Sequence, residues 1–237
     1  MLTVEGVSAG YGKLQILDDV SLEARPREVT VIVGPNGSGK STLLKTISGL
    51  TTIYQGKVTL DGKVLSGLAP HEVAKLGLAY LPQTESVFTQ LSVAENFKMA
   101  GYTVKAEEIN SRLEESLNIF PQLRSYLRTK VQNLSGGERQ MVAMTMALMR
   151  KPNFIMFDEP TANLAPKVAT QVLNTIHSLA QDTGLGVVLV EQNARRALEI
   201  GDRAYLLVSG KKVFEGKAKE LLGLKELGKL YLGLQTA

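Results

Sequence analysis

The sequence predicts an α/β fold with a mixed sheet, an antiparallel β region near the N-terminus and an inserted α-helical region. Three observations lead to this prediction. Short apolar runs at Val29–Val33, Phe154–Phe157 and Gly186–Val190 have the length and composition of strands buried on both faces of a parallel sheet. Apolar and polar side chains alternate over Leu2–Val7, and less cleanly over Gln15–Ala24, which indicates antiparallel strands. Residues 92–150 show helical periodicity and no convincing strand.

The composition is typical of a soluble globular protein. The chain has 237 residues, of which 44% are apolar and 21% are charged. Its longest apolar candidate, Met141–Met149, is too short to span a bilayer, and we see no secretory signal. The absence of cysteine argues against disulfides and thiolate metal sites and fits a cytoplasmic chain. The net charge of +4 is spread along the sequence, so we expect no nucleic-acid partner.

A glycine-rich segment at residues 34–42 predicts a phosphate-binding loop. It fits the pattern G-x-x-x-x-G-K-[ST] between a predicted strand and a predicted helix, a context that a chance glycine turn would lack. Lys40 can reach the β- and γ-phosphates of a nucleoside triphosphate, and the hydroxyl of Ser41 can bind Mg²⁺. The residues expected to contact the nucleotide are Gly34, Pro35, Asn36, Gly37, Ser38, Gly39, Lys40, Ser41 and Thr42.

Three further features lie in the first ninety residues. Tyr11 is flanked by glycines, where an aromatic ring could stack on a purine base, although the local sequence alone favours an ordinary turn tyrosine. Thr51–Gly56 is expected to be a turn, followed by a hairpin over Gly56–Leu65 with Asp-Gly at its tip. Gln83 comes directly after the predicted strand Gly77–Leu81, at the strand end where ligands of α/β sheets collect.

The helical region carries a second candidate for anion binding. Ser92 is expected to cap a helix through Met99, and Lys105–Phe120 is amphipathic. Ser135 is the expected N-cap of the helix that contains Met141–Met149, and Gly136 and Gly137 leave its first N–H groups accessible. Without the phosphate loop, an ordinary serine-capped helix would be the simpler interpretation.

An acidic pair ends the apolar strand Phe154–Phe157. Downstream of a phosphate loop, Asp158 would hold Mg²⁺ through water and Glu159 would orient and deprotonate the attacking water. The alternative is a solvated pair of carboxylates, but the buried strand before them favours the functional interpretation. Of the two histidines, His71 is expected to be a solvated surface residue and His177 to be structural.

The remaining sequence predicts a long helix from Pro166 and a strand over Asp202–Val208. Near the C-terminus, Lys225–Leu234 carries an apolar stripe that is expected to pack against the rest of the protein. The residues of that stripe are Leu227, Leu230, Tyr231 and Leu234.

The ordered set of motifs resembles the nucleotide-binding subunits of ABC transporters over essentially the whole chain. The match consists of the phosphate loop, Gln83, the specific signature Leu-Ser-Gly-Gly-Glu at 134–138, and the strand with its acidic pair at 154–159. The resemblance implies a P-loop NTPase core with a mixed sheet, in a single ABC ATPase domain over residues 1–237. Within it, residues 1–90 and 151–237 would form the core, and residues of about 91–150 the helical subdomain.

The resemblance also implies how ATP and Mg²⁺ would bind. Two subunits would enclose two ATP molecules head to tail, so that Ser135, Gly136 and Gly137 of one subunit cap the γ-phosphate on the other. In this family Tyr11 sits where an aromatic ring stacks on adenine, which replaces the ordinary interpretation above. Gln83 would bind Mg²⁺ and link the site to a membrane subunit.

Three segments resemble the branched-chain amino-acid branch of the family, namely 162–166, 189–193 and 231–233. Gln192 stands where the wider family has a switch histidine, a change that this branch shares, and Ala165 stands where an aspartate is usual. Catalysis would therefore rest on Glu159 and Lys40, with Gln192 facing the γ-phosphate.

The implied function is ATP hydrolysis that powers an importer of branched-chain or related amino acids. The implied partners are membrane-spanning permease subunits, a second ATPase subunit and, indirectly, a solute-binding protein, with the chain on the cytoplasmic face of the cell membrane. Two alternatives are an ABC ATPase of DNA repair or translation and an ATP-dependent clamp with little turnover. The chain lacks the tandem cassettes or long coiled-coil insertions of the first. Glu159 argues against the second, which Ala165 and Gln192 leave open.

Overall fold

The computed structural model describes residues 1–84, 86–102 and 104–224, and its elements follow the predicted order. The strands in this part of the chain are β1 Leu2–Tyr11, β2 Leu14–Ala24, β3 Val29–Val33, β4 Thr52–Leu60, β5 Lys63–Val64, β6 Leu78–Leu81, β7 Phe154–Asp158, β8 Gly186–Val190, β9 Arg203–Val208 and β10 Lys211–Lys217. The α-helices are α1 Lys40–Ile47, α2 Pro70–Lys75, α3 Val93–Gly101, α4 Ile109–Ile119, α5 Gly136–Leu148, α6 Pro166–Thr183, α7 Ala194–Ile200 and α8 Ala218–Gly223.

The core is a six-stranded mixed sheet in the order β10-β9-β3-β8-β7-β6. Its strands are parallel except for β10, which runs antiparallel to β9 at one edge. All residues of β3, β7 and β8 are buried, because both faces of the sheet are covered. Ile155 and Phe157 point into a cluster with the helices, whereas Phe154 and Met156 point into a second cluster with the N-terminal strands. The predicted α/β class with a mixed sheet is confirmed.

The second cluster joins this sheet to a four-stranded antiparallel sheet in the order β2-β1-β4-β5. Here the prediction of a turn at Thr51–Gly56 is wrong, because β4 begins at Thr52 and pairs with Gly10 of β1. Gly56, which suggested the turn, has a different role. The pairing of β4 with β1 shifts register between Lys57 and Gln55, and Gly56 lies in this irregularity.

The chain between β6 and β7 is helical, and within its described residues the only strand pairing is an isolated bridge of Ser92 with Lys130. Ser92 caps α3 by accepting from the N–H of Glu95, as predicted. The predicted helix over Lys105–Phe120 is α4, which a short 3₁₀ turn precedes. One hydrophobic cluster runs from the core sheet into these helices, so the boundaries of a helical subdomain stay a prediction.

The apolar stripe predicted for Lys225–Leu234 lies outside the described residues. Among the helices that the structure does describe, none has the length and apolar character needed to cross a membrane.

Candidate nucleotide-binding site

The segment between β3 and α1 forms a tight loop at the carboxyl end of the core sheet. Gly34 lies against β9, where a Cβ atom would come within 2.1 Å of the carbonyl oxygen of Leu207, so only glycine fits. The N–H of Ser38 donates to the carbonyl of Pro35 at 3.1 Å, and its buried hydroxyl has no partner among the described residues. The loop ends at the N-terminus of α1, which carries partial positive charge, and together these features suit a phosphate group.

Lys40 is the first residue of α1, and its side chain folds back into the loop. Its ammonium nitrogen donates to the carbonyl oxygens of Gly34 at 2.9 Å and Pro35 at 3.0 Å. Burial lowers the pKa of Lys40, and the negative charges of Glu159 and Asp158 partly oppose this effect. The ammonium group is therefore close to any phosphate that binds in the loop. It also interacts electrostatically with the carboxylates of Asp158 and Glu159.

Asp158 is the last residue of β7, and its side chain is buried. One of its oxygens accepts a hydrogen bond from the hydroxyl of Ser41 at 2.8 Å, and the other accepts from the hydroxyl of Tyr80 at 3.0 Å. Burial, followed by the charge of Asp158, raises the pKa of Tyr80, so its phenol stays a proton donor. Tyr80 was not predicted, because nothing in the strand β6 distinguishes it from a core aromatic residue.

Glu159 follows directly and adopts a left-handed backbone conformation, with φ of 48°. Its N–H donates to the carbonyl of Val190 at 2.9 Å, which fixes the turn against β8. Its carboxylate accepts from the side-chain amide of Gln83 at 3.1 Å. Two residues that are 76 positions apart in the chain are therefore in direct contact, as expected for residues that follow neighbouring parallel strands.

A cavity of about 500 Å³ lies above these residues. It brings together the loop, Gln83, Glu159 and Gln192, which come from four separate segments, and adds Ile16, which the sequence did not single out. The residues that line it are Ile16, Asn36, Gly37, Gly39, Lys40, Ser41, Thr42, Gln83, Glu159 and Gln192.

The signature residues and Tyr11 do not line this cavity. Tyr11 is a half-exposed residue at the end of β1, where it pairs with Leu14. Ser135 caps α5 by accepting from the N–H of Glu138, as predicted. Gly136 lines a separate cavity of about 940 Å³, which Gln83 also lines.

Gly136 has a packing role within its own chain. A Cβ atom at this position would lie 2.3 Å from Cδ2 of Leu164, so the glycine lets the segment after β7 approach α5 closely.

The polar groups of the site fit Mg²⁺ held jointly with phosphates. Among the described residues there is no cluster of three histidine, cysteine, aspartate or glutamate side chains that could hold a metal ion alone. The hydroxyl of Ser41 and the carboxylate of Asp158 are hard oxygen ligands at hydrogen-bond distance from each other. Mg²⁺ commonly takes one or two such protein ligands and completes its shell with water and substrate phosphates.

The fold and this site define a P-loop protein that hydrolyses a nucleoside triphosphate. A family model described as ABC transporter matches residues 17–162. The chain belongs to this family, and it is an ATP-hydrolysing, ATP-binding subunit.

Two relatives match along nearly their whole length. A protein of Archaeoglobus fulgidus named probable branched-chain amino acid transport ATP-binding protein LivF is 51% identical, over 99% of each chain. The high-affinity branched-chain amino acid transport ATP-binding protein BraG of Pseudomonas aeruginosa is 37% identical, over 98% of this chain and all of its own.

Solved structures of ATP-binding cassettes have the same fold. A nucleotide-free cassette from an ABC transporter is 26% identical and superimposes with a TM-score of 0.86 over 98% of both chains. A dimeric cassette in a post-hydrolysis state with ADP and inorganic phosphate is 27% identical. Its TM-score is 0.76, over 92% of this chain and 99% of its own.

The contacts of Lys40 lead to a prediction about nucleotide affinity. Lys40→Met keeps the aliphatic stem but removes the charge, so the affinity for ATP should fall by about 10- to 100-fold, as expected for lost hydrogen bonds to a charged group. The affinity is measured by titration with a fluorescent ATP analogue. Lys45→Met is the matched control, because Lys45 lies in the last turn of the same helix and outside the cavity. Equal affinities in the two variants would contradict the assignment of Lys40.

Proposed function

We propose that this chain energises an importer of branched-chain or related amino acids by hydrolysing ATP on the cytoplasmic face of the membrane. The observation that carries the proposal is the similarity to the LivF protein of A. fulgidus, which extends over both whole chains. The cavity at the phosphate loop supports it, because Lys40, Glu159 and Gln192 all line it.

In the proposed site, the loop and the N-terminus of α1 hold the β- and γ-phosphates, and Lys40 exchanges its two carbonyl partners for phosphate oxygens. Ser41, Asp158 and Gln83 are the proposed ligands of Mg²⁺, directly or through water. When bound, Mg²⁺ neutralises the charge that develops on the phosphates. Tyr80 keeps the carboxylate of Asp158 oriented by its hydrogen bond.

Glu159 is the proposed general base. Its side chain lines the cavity, its backbone is fixed against β8, and its carboxylate is held by the amide of Gln83. A carboxylate in this place can accept a proton from a water molecule that attacks the γ-phosphorus in line. Gln192 lines the same cavity and can donate an amide N–H to the γ-phosphate without changing its charge.

The signature residues are proposed to act on the nucleotide of a second subunit. Ser135 and the first N–H groups of α5 form a capped helix N-terminus outside the chain's own phosphate cavity, which suits an anion from elsewhere. The dimeric cassette that superimposes on this chain supports such an arrangement. In the proposed dimer of this chain, Tyr11 would stack on adenine. Closure of the dimer on ATP would drive transport, and hydrolysis would reset it.

A groove of about 400 Å³ is the proposed docking site for a membrane-spanning permease subunit. It lies between α2, β6, α3 and α5, and the segment after Gln83 also contributes to it. Three large apolar side chains at the groove, Leu50, Phe88 and Met99, are about half exposed. A cytoplasmic helix of the permease with an apolar face would bury them. The segment around Gln83 would transmit the position of that helix to Glu159. A solute-binding protein would act only through the permease.

Removal of the proposed base provides the direct test of hydrolysis. Glu159→Gln keeps the shape of the side chain but cannot accept a proton, so turnover should fall by about 10²- to 10⁴-fold while ATP binding persists. Turnover is measured as released phosphate, and the dimer that accumulates with ATP is measured by gel filtration. Glu199→Gln, an exposed change on α7, is the control. Unchanged turnover in Glu159→Gln would show that the base lies elsewhere, and a wild-type chain without single-turnover hydrolysis would be an ATP-dependent clamp.

Ser135 and Ser92 provide a matched pair for testing the split site, because each forms a capping box with the glutamate three residues further on. Aspartate caps helices as well as serine does, so both substitutions should leave the fold intact. Ser135→Asp places a negative charge against the partner's γ-phosphate, and we expect loss of ATP-driven dimerisation with unchanged ATP binding by monomers. Ser92→Asp should dimerise normally. Loss of monomer ATP binding in Ser135→Asp would contradict an action on the second subunit.

The docking groove can be tested in a transporter reconstituted with its membrane subunits. Met99→Glu places a charge in the apolar groove, so ATP-driven uptake of branched-chain amino acids and retention of the chain on the membrane subunits should both be lost. The ATPase activity of the isolated chain should persist. Val213→Glu is the control, because Val213 is equally exposed but lies on β10, at the opposite edge of the core sheet. Normal uptake by Met99→Glu would exclude the groove as the docking site.

A further inference from the structure

Glu191 is a buried carboxylate that the proposed reaction does not use. Glu191 follows β8 directly and is only 3% exposed. It does not line the cavity at the phosphate loop. Burial raises the pKa of Glu191, and the nearby charge of Glu159 acts in the same direction. Placing a carboxylate here is costly unless its hydrogen bonds compensate.

The hydrogen bonds of Glu191 converge on one turn. A single oxygen of its carboxylate accepts from the backbone N–H of Thr161 at 3.0 Å and from the hydroxyl of Thr161 at 2.7 Å. Glu191 therefore joins the segment after β7, which carries Glu159, to the segment after β8, which carries Gln192.

The turn held in this way is under backbone strain. Glu159 and Asn163, two positions before and two positions after Thr161, have φ of 48° and 61°. A non-glycine residue in the left-handed region persists only where its surroundings determine it. The bond from the N–H of Glu159 to Val190 holds one end of the turn, and the contacts of Glu191 with Thr161 hold its middle.

We propose that Glu191 is a positioning residue for hydrolysis, whose buried carboxylate clamps the turn at Thr161 and so fixes Glu159 relative to Gln192. This inference rests on the proposed role of Glu159. The clamp acts on the geometry of the base, and it touches neither the phosphate loop nor the signature. Its loss should therefore change the rate of the chemical step and leave nucleotide binding unchanged.

The experiment compares steady-state kinetics and ATP affinity in variants of both partners. Glu191→Ala removes the acceptor, and we expect kcat to fall by about 10- to 100-fold, because a small misplacement of a catalytic group costs this much. KM and the affinity for a fluorescent ATP analogue should stay within about twofold, since the substitution removes no interaction that binds ATP in the ground state. Glu191→Gln keeps an oxygen at the same place and should retain kcat within about threefold.

Thr161 supplies an independent arm in case Glu191→Ala fails to fold, as judged by its thermal melting. Thr161→Val removes one donor to Glu191 without leaving the carboxylate unbonded, and its kcat should fall while its melting temperature and ATP affinity are kept. Thr161→Ser retains the hydroxyl and is the matched control. Equal kcat in Thr161→Val and Thr161→Ser, or equal impairment of Glu191→Ala and Glu191→Gln, would overturn the clamp.

Glu159→Gln is measured in parallel to separate the two proposals. If Glu159→Gln is inactive while Glu191→Ala keeps its full kcat, only the inference about Glu191 fails. If Glu159→Gln retains turnover, the assignment of the base itself fails.

Discussion

The site depends on the buried carboxylate of Asp158. Its two oxygens accept hydrogen bonds from Ser41 at the start of α1 and from Tyr80 in β6, so three elements that are distant in sequence are held at one point. A buried carboxylate without such donors would be strongly destabilising, which makes the arrangement all-or-none. The phosphate loop is positioned against the core sheet through this interaction and through the contact of Gly34 with β9.

The charges around this point determine what the site can bind. The single ammonium of Lys40 faces the carboxylates of Asp158 and Glu159, and burial makes each of these interactions stronger than it would be in water. A triphosphate brought to this place is attracted by Lys40 and α1 but repelled by the carboxylates. The Mg²⁺ proposed above, held jointly by Asp158 and the phosphates, would relieve that repulsion.

The position of Glu159, the proposed base, depends on a second layer of contacts behind the cavity. Glu159 is in an unfavourable backbone conformation, and its turn is fixed by Val190 and by the buried Glu191. Gln83, which lines both the nucleotide cavity and the cavity next to α5, contacts the same carboxylate from the other side. A shift of Gln83 would therefore act on Glu159 through one side-chain contact, while the hydrogen bond to Val190 restrains the backbone of Glu159.

The sequence by itself determined the features that depend on neighbours in the chain: the phosphate loop with Lys40 and Ser41, the capped helices at Ser92 and Ser135, and the buried strands of the core. It also pointed to Gln83 and Asp158, because each comes at the end of a recognisable strand. Glu191 also comes at the end of a recognisable strand, but we predicted a role only for Gln192.

The tertiary structure alone decided the partners of these residues. The bond of Tyr80 to Asp158, the clamp on Thr161 and the pairing of Thr52 with Gly10 join residues that are 30 to 78 positions apart. No local pattern encodes such contacts. The first two arise because parallel strands bring their carboxyl ends to one edge of the core sheet, and the third arises from the antiparallel pairing of β4 with β1.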